Sequence, residues 1–455
     1  MILILTLALT LFWLSVFGVG ILFVLRRWWW LGGILIAEAI VATAAQIAMT
    51  TIPVGIGQPL IRLPKAEWGW WALGAGVLAV LVVMMLIGHW RATHATHPQV
   101  APRRVSGVLI LFPVLAALGL YGVSYFSTPL RERERNPDRR SIRLAPGFSY
   151  SVYAQTTIDN PTVMTFGPDG KLYIGDIAGD LWVATDRDGD FRVDNISKFA
   201  GGFDLLLGLA WRSDELFVSS AGKIEALRDT NGDGVADARR TVAEGLPALV
   251  LNPHSNNSLT FGPDGRLYFG VGRTTATGRE PNPQAGAILS VSPDGGDVRV
   301  LAQGFGNPFD VAFNARGDMF VGDNAGVSAD GDSPPDKFHH VVAGGDYDDE
   351  NDPFGPNKKA AIVQLDPHSV PTGLTFYSGK TYPAEYFDNA FMTLWNRGEV
   401  LRIQTSAVNN GYRARESIFG DGFLYPIDVV TGPDGNLYIA DFGTSVIYRI
   451  TYGGK

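Results

Sequence analysis

A short motif that repeats six times in the second two-thirds of this 455-residue chain limits the fold more than any other feature. Each copy is an apolar run, a tight turn typified by Pro-Asp-Gly, and a second apolar run, which is the pattern of a β-hairpin. The copies begin near residues 161, 205, 257, 308, 371 and 426, and a third short apolar run follows them. Four-stranded units that recur in this way predict a β-propeller, and six copies predict six blades.

The predicted ring closes on itself. The last copy ends near residue 452 without a fourth strand, and an isolated apolar run, 148–155, precedes the first copy. An unpaired strand at a sheet edge invites aggregation, so pairing these two ends would protect the fold. We therefore predict that the run 148–155 supplies the outermost strand of the last blade.

Residues 1–127 lack the repeat and are far more apolar. They contain four segments of about 20 residues, the length that crosses the core of a bilayer: 2–25, 31–50, 69–88 and 107–126. The only charged residue within these segments is Glu38, and tryptophans cluster at their ends, as they do at membrane interfaces. The predicted architecture is an all-α transmembrane four-helix region (1–127), an arginine-rich linker (128–143) and an all-β six-bladed propeller (144–455).

The placement of arginines bears on how that region is oriented. With both chain ends outside, the inner loops carry the following residues, as the positive-inside rule requires: Arg26, Arg27, Arg91, Arg103 and Arg104. The six arginines of 131–143 argue for the reverse arrangement, although long translocated domains weaken the rule. We expect a multi-pass protein integral to the cytoplasmic membrane, with its propeller on the extracytoplasmic, periplasmic side.

Missing residues narrow the chemistry. The chain has no cysteine, which excludes a c-type haem attachment, an iron–sulfur cluster and a thiolate-bound zinc. Histidine occurs in the apolar region only near one end of the third segment, so a haem held by two histidines is not expected. The net charge of −8 disfavours nucleic acid as a partner. Any redox activity would have to pass electrons to an external acceptor, either a membrane quinone or a separate cytochrome.

The propeller topology predicts where a site lies. The Pro-Asp-Gly turns join the first and second strands of a blade at one face, so first strands begin and second strands end at the opposite face. Two long irregular segments, 271–287 and 323–345, fall at that opposite face. His254, Asn307 and His368 each precede an innermost strand there. Long loops and polar groups around one mouth of a channel predict a pocket for a small molecule.

Two further loops carry oxygen-bearing side chains at alternate positions. The first, 186–194, contains Asp186, Asp188, Asp190 and Asp194. The second, 229–237, repeats the spacing with Asp229, Asn231, Asp233 and Asp237. This spacing with a flexible glycine suits calcium, although neither loop has the glutamate that completes an EF-hand. Asp/Gly hairpins without an ion are the alternative.

Several stretches resemble the quinoprotein sugar dehydrogenases of the glucose/sorbosone dehydrogenase type. The most specific is HSVPTGLTFYSGKTYPAEYFDNAFMTLWNR (368–397). Others are NPHSNNSLTFGPDGRLYFGVG (252–272) and YPIDVVTGPDGNLYIADFGTSVIYRITY (425–452). The resemblance covers residues 144–453. It implies a six-bladed propeller that binds pyrroloquinoline quinone (PQQ) and calcium and oxidises a sugar or a related aldehyde or polyol.

The resemblance also implies roles for single residues. His254 stands where the family has a general base that takes the proton of the anomeric hydroxyl, a task that suits the pKa of histidine. Asn307 matches a cofactor-side asparagine, and Asp336 falls in the loop region where the family holds a calcium ion. Three residues complete the candidate cofactor-binding set: Arg273, Arg397 and His368.

The chain departs from the family where the family carries charge. Gly306 replaces an arginine, and Tyr425 and Ile427 stand near the positions of a basic pair that holds the cofactor carboxylates. A tricarboxylate needs fixed cations. On this resemblance Arg273, Arg397 or Lys380 would have to supply them.

Three functions remain open at this stage. The first is a membrane-anchored oxidoreductase, a PQQ-dependent sugar dehydrogenase. The second is a non-catalytic propeller that binds a sugar-like molecule or serves as an assembly subunit of a membrane complex. The third is a calcium-dependent lactonase or hydrolase that uses His254 and the acidic residues of the mouth: Asp323, Asp330, Asp332 and Asp336.

Overall fold

The structure is a computed structural model that describes residues 141–155, 158, 160–248, 255–275, 280–325, 334–347, 357–409 and 411–454, and two short strands nearer the N-terminus. Those strands, β1 (Pro53–Val54) and β2 (Gln58–Pro59), pair antiparallel. The chain divides into two compact units, Met1–Arg133 and Glu134–Lys455. The four predicted transmembrane segments lie outside the described residues. None of the described helical segments has the length and apolar character needed to span a bilayer.

Residues 141–454 contain six antiparallel sheets, which confirms the predicted six-bladed propeller. Blade 1 comprises β5 (Pro161–Phe166), β6 (Leu172–Asp176), β7 (Asp180–Thr185) and β8 (Asn195–Gly201). Blade 2 comprises β9 (Gly208–Arg212), β10 (Glu215–Ser220), β11 (Lys223–Arg228) and β12 (Ala238–Glu244). Blade 3 comprises β13 (Asn256–Phe261), β14 (Leu267–Val271), β15 (Ala287–Val291) and β16 (Arg299–Gln303).

The remaining blades follow the same order from the inside outward. Blade 4 comprises β17 (Asn307–Phe313), β18 (Met319–Asn324), β19 (Pro335–Val341) and β20 (Val363–Pro367). Blade 5 comprises β21 (Pro371–Phe376), β22 (Ala390–Leu394), β23 (Glu399–Val408), β24 (Gly411–Asp421) and β3 (Arg143–Leu144), with a 3-10 turn at Ala384–Tyr386. Blade 6 comprises β25 (Pro426–Thr431), β26 (Leu437–Asp441), β27 (Val446–Tyr452) and β4 (Phe148–Gln155).

The ring closes as predicted. Strand β4 pairs antiparallel with β27, from Phe148 opposite Tyr452 to Gln155 opposite Val446. The first strands of the six blades contact one another in order around the ring, and β25 of blade 6 contacts β5 of blade 1. Strand β3 is an addition to the prediction, because residue 143 of the expected linker already pairs with the outer edge of blade 5.

The hairpin turns form for a local reason. In three of the Pro-Asp-Gly copies the glycine, at 170, 265 and 435, has φ of +77°, a left-handed conformation that glycine adopts without steric cost. In the first copy the side chain of Asp169 also accepts the N–H of Lys171 at 3.2 Å. These turns fix the register of the first two strands, and so the positions at which the first strands begin.

Buried aspartates join the innermost strands of neighbouring blades. Asp310 on β17 accepts the N–H of Leu374 on β21 at 2.7 Å. Asp428 on β25 accepts the N–H of Met164 on β5, also at 2.7 Å. Burial raises the pKa of both aspartates, and the charge of Asp310 raises that of Asp428 further. Both follow the same Pro-x-Asp pattern, so the sequence places them at equivalent points of the ring.

Candidate active site

The channel mouth is the face of the propeller where first strands begin and second strands end. Hydrogen bonds link the end of one blade to the start of the next around it. The N–H of Arg273, after β14, donates to the carbonyl oxygen of Gly306 before β17 at 2.8 Å. The side-chain amide of Asn160, before β5, donates to the carbonyl oxygen of Phe442 after β26 at 2.7 Å. Hydrogen bonds between neighbouring blades therefore hold the strand-end residues of the mouth in place.

Asn307 lies at the start of β17 and is held rigidly. Its side-chain oxygen accepts a hydrogen bond from the amide of Asn257 on β13 at 2.9 Å, and only 8% of the residue is exposed. Its N–H and that of Gly306 donate to the carboxylate of Asp323 at 2.9 and 3.1 Å. Burial raises the pKa of Asp323 to about 6. Asn307 is thus a buried amide between blades 3 and 4.

A buried histidine lies behind this network. His339 on β19 has no exposed surface, and its Nε2 is 4.0 Å from Asp323 Oδ2. Within the described residues neither of its ring nitrogens has a hydrogen-bond partner. Burial lowers its pKa to about 3, with a smaller contribution from the charge of Lys337. The sequence analysis did not single out His339, and its only signal is its position two residues after Lys337 on the strand that faces Asp323.

Arg273 is mostly buried and faces an acid. Its Nε lies 3.8 Å from Glu280 Oε1. Glu280 also accepts hydrogen bonds from the Thr275 N–H at 2.7 Å and the Thr274 hydroxyl at 2.8 Å. Burial raises the pKa of Glu280, but these hydrogen bonds outweigh it and hold the pKa below its usual value. The guanidinium of Arg273 is therefore balanced by a charged carboxylate.

His368 precedes the first strand of the blade 5 hairpin and Arg397 follows the second, so both lie at the same end of the hairpin. Arg397 pairs with Asp366 at 2.9 Å and with Glu399 at 3.0 Å. His368 has φ of +57°, and its carbonyl oxygen accepts the side-chain amide of Asn396 at 3.0 Å. The structure brings this pair to the same mouth as Asn307 and Arg273.

Asp336 joins two loops of the mouth. Its carboxylate accepts the N–H of Ala325 at 2.9 Å and the N–H of Val370 at 2.8 Å, and 1% of the residue is exposed. Burial raises its pKa. Both oxygens thus connect the end of blade 4 to the start of blade 5, and any calcium ion would share them with backbone amides. His254, Asp330 and Asp332 lie outside the described residues.

The predicted calcium loops lie on the far face, opposite the mouth, and share one conformation. In the first, the carboxylate of Asp186 accepts the N–H groups of Gly189 and Phe191 at 2.8 and 2.9 Å. In the second, Asp229 accepts those of Gly232 and Gly234 at 2.7 and 2.8 Å.

The later positions of these loops also match. Asp188, Asp190, Asn231 and Asp233 each accept the N–H two residues on, and Asp194 and Asp237 accept those of Arg187 and Thr230. Ligand oxygens of Asp186, Asp188 and Asp194 lie within 4.8 Å of one another, close enough for one cation. Backbone hydrogen bonds to these side chains shape both loops.

An aromatic cluster that the sequence analysis missed as a feature stands between blades 5 and 6. We call Trp395, Tyr425 and Phe442 the aromatic wall. The rings of Trp395 and Tyr425 stack at 4.9 Å with an interplanar angle of 23°, and the ring of Phe442 lies 4.7 Å from that of Trp395. Tyr425 is 38% exposed. The available signal was the pair of aromatic residues at the ends of strands that the repeat already located.

These residues do not fit a cofactor that carries three carboxylates. A side chain at Gly306 would collide with the carbonyl oxygen of Asn324. Ile427 has no exposed surface, and Tyr425 stacks on Trp395. The two candidate arginines already face carboxylates. The basic positions of the family are thus replaced, Arg273 and Arg397 are paired, and Lys380 lies at the far face beside Gly435, so no chemical step is assigned to that group.

The fold defines a class, the six-bladed β-propellers. An oxidoreductase of Thermus thermophilus described as a glucose dehydrogenase matches with 21% identity and a TM-score of 0.55, over 67% of this chain and 100% of its own. The PQQ domain of Coprinopsis cinerea pyranose dehydrogenase is 16% identical with a TM-score of 0.57, and the match covers 69% of this chain and 97% of that domain. The PQQ-bound aldose sugar dehydrogenase of Streptomyces coelicolor is 18% identical with a TM-score of 0.54, and the match covers 68% of this chain and 99% of that enzyme. At these identities the likeness establishes the fold.

Within that class the chain belongs to the DUF7133 family, described as a domain of unknown function, whose model matches residues 135–450. A protein of Borreliella burgdorferi described as uncharacterized is 21% identical over 353 residues, which cover 69% of this chain and 91% of the relative. The family boundary agrees with the compact unit that begins at Glu134.

Proposed function

We propose that the propeller binds a sugar or a related polyhydroxylated, uncharged molecule at the channel mouth. The observation that carries this is the fixed amide of Asn307, held by Asn257 on one side and by Asp323 through its backbone on the other. Asn257 engages the side-chain oxygen of Asn307, and the N–H groups of the same amide are donors that suit hydroxyl groups. A group fixed before binding costs less entropy to engage. The solved propellers of this architecture include enzymes described as acting on sugars.

Calorimetric titration of the full-length protein with neutral aldoses tests this proposal. The detergent must lack a sugar headgroup, because a glycosidic detergent would compete. Asn307→Asp keeps the acceptor for Asn257 but removes the amide donors, so we expect affinity to fall about tenfold, equal to about 1.4 kcal/mol. Asn409→Ala, in the exposed turn between β23 and β24, is the control and should bind as the wild type does. If no neutral aldose binds at a concentration of about 50 mM, fifty times a dissociation constant of about 1 mM, the proposal is refuted.

Sugar oxidation is the second candidate, and the PQQ-bound neighbours favour it. It requires a redox group at a mouth whose described cations are paired, an external quinone or cytochrome as acceptor, and His254 as the base. The full-length protein is mixed with PQQ and calcium chloride, and the quinone absorbance is followed while an aldose is added. Bleaching that is lost in His254→Ala would establish oxidation. Sugar binding without bleaching would refute oxidation and would support sugar binding as the function.

Calcium is proposed for the far face, in the loops 186–194 and 229–237. The facing carboxylates of Asp186, Asp188 and Asp194 supply hard oxygen ligands. We expect calcium to raise the thermal midpoint of the wild type and to have a smaller effect on Asp188→Asn. A midpoint that is independent of calcium up to about 10 mM, the range of weak extracellular sites, would contradict this assignment.

Membrane anchoring through residues 1–127 is proposed from their hydropathy alone, with the propeller on the periplasmic side and other subunits of a membrane complex as possible partners. A phosphatase reporter fused after Lys455 should be active, because that enzyme works only outside the cytoplasm. An inactive phosphatase together with an active cytoplasmic reporter at the same position would reverse the orientation.

A further inference from the structure

The aromatic wall occupies the part of the mouth where the family resemblance implies a basic pair. Tyr425 is 38% exposed, Trp395 is 4% exposed and Phe442 is fully buried. The Tyr425 ring therefore meets solvent, Trp395 stacks on it, and Phe442 packs against Trp395. A fixed, supported aromatic ring at a site is a common means of binding the apolar surface of a ligand.

The backbone under the wall is fixed on both blades. Asp441 accepts the N–H of Tyr425 at 3.1 Å and that of Leu424 at 2.7 Å. The N–H of Phe442 donates to the carbonyl oxygen of Tyr425 at 3.0 Å, and that of Trp395 donates to Val370 at 2.9 Å. Because these hydrogen bonds fix the backbone under the rings, binding requires little further ordering of the backbone.

The electrostatics of this part of the mouth disfavour an anionic ligand. Arg397, two residues after Trp395, is engaged by Asp366 and Glu399. Two residues after Tyr425, Ile427 is fully buried in the channel wall. A carboxylate placed against the aromatic wall would lose hydration, and the guanidinium of Arg397 already pairs with two carboxylates.

We infer that the aromatic wall is a stacking subsite for the apolar face of an uncharged sugar ring. A pyranose has C–H groups on its faces and hydroxyls around its rim. The Tyr425 ring covers a face, and amides of the mouth serve the rim. The inference rests on the proposed sugar-binding function and specifies how that site selects an uncharged ring over a carboxylated one.

The experiment compares methyl β-D-glucopyranoside with D-glucuronate by calorimetry on the full-length protein in a detergent without a sugar headgroup. We expect the neutral glycoside to bind more tightly than the uronate. Tyr425→Ala should weaken the glycoside about tenfold, the size of a well-packed aromatic contact. Tyr425→Phe keeps the ring and should stay within about threefold of the wild type. Phe387→Ala removes an aromatic residue of the opposite face that is 50% exposed, and it should change nothing.

The outcomes separate the subsite from the function. If the glycoside binds and Asn307→Asp weakens it while Tyr425→Ala does not, the subsite is refuted and sugar binding stands. If the glycoside does not bind to the wild type at all, the proposed function fails and the subsite with it. Tighter binding of the uronate than of the glycoside would overturn the selectivity. Tyr425→Phe also guards against misfolding, because it retains the stack on Trp395.

Discussion

Blades 4 and 6 share one backbone arrangement at the start of their first strands, which we call the frame, but they present different side chains to the mouth. Both first strands open with Pro-x-Asp, at 308–310 and 426–428. In each, the residue before proline is held by a carboxylate of the second strand. Asp323 accepts the N–H of Asn307 at 2.9 Å, and Asp441 accepts that of Tyr425 at 3.1 Å. The same backbone therefore carries a buried amide in blade 4 and a partly exposed aromatic ring in blade 6.

The difference shows which positions serve the fold and which serve the ligand. The proline restricts the preceding residue to an extended backbone but leaves its side chain open. The aspartates of the two strands satisfy backbone N–H groups, so changing them alters the frame. Changing the residue before the proline alters what the mouth offers. Asn307 and Tyr425 can thus diverge while the two blades keep one geometry.

The largest effect is expected from breaking the frame in blade 6. Asp441→Ala removes the acceptor of four N–H groups, those of Leu424, Tyr425, Gly443 and Thr444. Asp323→Ala removes the acceptor of two. A buried N–H without a partner costs about 1–3 kcal/mol, so we expect losses of about 4 and about 2 kcal/mol in the free energy of unfolding.

Urea unfolding of the propeller, followed by near-ultraviolet circular dichroism of the full-length protein at pH 7, measures both variants. Asp421→Ala removes a partly exposed ion pair with Arg143 and should cost less than about 1 kcal/mol. A loss for Asp323→Ala that equals or exceeds that for Asp441→Ala would contradict the comparison.

Sequence patterns predicted the frame better than the mouth. The hairpin repeat and the unpaired run 148–155 were enough for six blades and their closure, because strand period and turn chemistry are local properties. The aromatic wall joins the ends of strands that are 30 residues apart, and only packing reveals it. The ion pairing of Arg273 and Arg397 also depends on partners, Glu280 and Asp366, that no motif links to them. The resemblance was enough to place Arg273 and Arg397 along the sequence, but it could not predict their ion-pair partners.

The second effect concerns acid. His339 in blade 4 corresponds to Tyr448 in blade 6. Each lies opposite the residue of the second strand that is two positions before the carboxylate, Asp323 in blade 4 and Asp441 in blade 6. Burial lowers the pKa of His339 to about 3, whereas an unfolded histidine titrates near 6.5. The unfolded chain then binds the extra proton between these values. Stability therefore falls as pH decreases from about 6.5 toward 3, by at most about 1.4 kcal/mol per pH unit.

His339→Leu should remove that part of the acid sensitivity. Unfolding is measured at pH 7, 5.5 and 4.5 for wild type and variant. The groups that face His339 are Asp323 and Lys337, so Lys337→Met serves as a second variant and should change the slope less. Parallel pH profiles for the wild type and His339→Leu would show that the histidine is not the group responsible.

The third effect has the opposite sign and concerns Asp428. Burial and the charge of Asp310 raise the pKa of Asp428 in the folded state. In the unfolded state the pKa is near 3.9. As pH rises, the unfolded chain therefore loses this proton before the folded protein does. Stability contributed by the neutral form is present at low pH and is lost as pH rises through the raised pKa. Asp428→Asn should therefore flatten the decline of stability that begins near pH 4 and ends at the raised pKa, by about 1 kcal/mol per pH unit. Asp310→Asn should flatten it over a lower pH range, because the pKa of Asp310 is raised less. Parallel stability curves between about pH 4.5 and 7 for the wild type and Asp428→Asn would refute this.

The smallest effect on stability is expected from making blade 6 resemble blade 4. Tyr425→Asn leaves the N–H donor to Asp441 in place and removes only the ring that stacks on Trp395. Because Tyr425 is partly exposed, the loss should be about 0.5–1 kcal/mol. Sugar affinity, by contrast, should fall about tenfold, as in Tyr425→Ala. Urea unfolding and calorimetry on one preparation give both values. A loss of several kcal/mol would mean that the residue before the proline belongs to the frame after all, and the division between fold and ligand positions in these blades would be wrong.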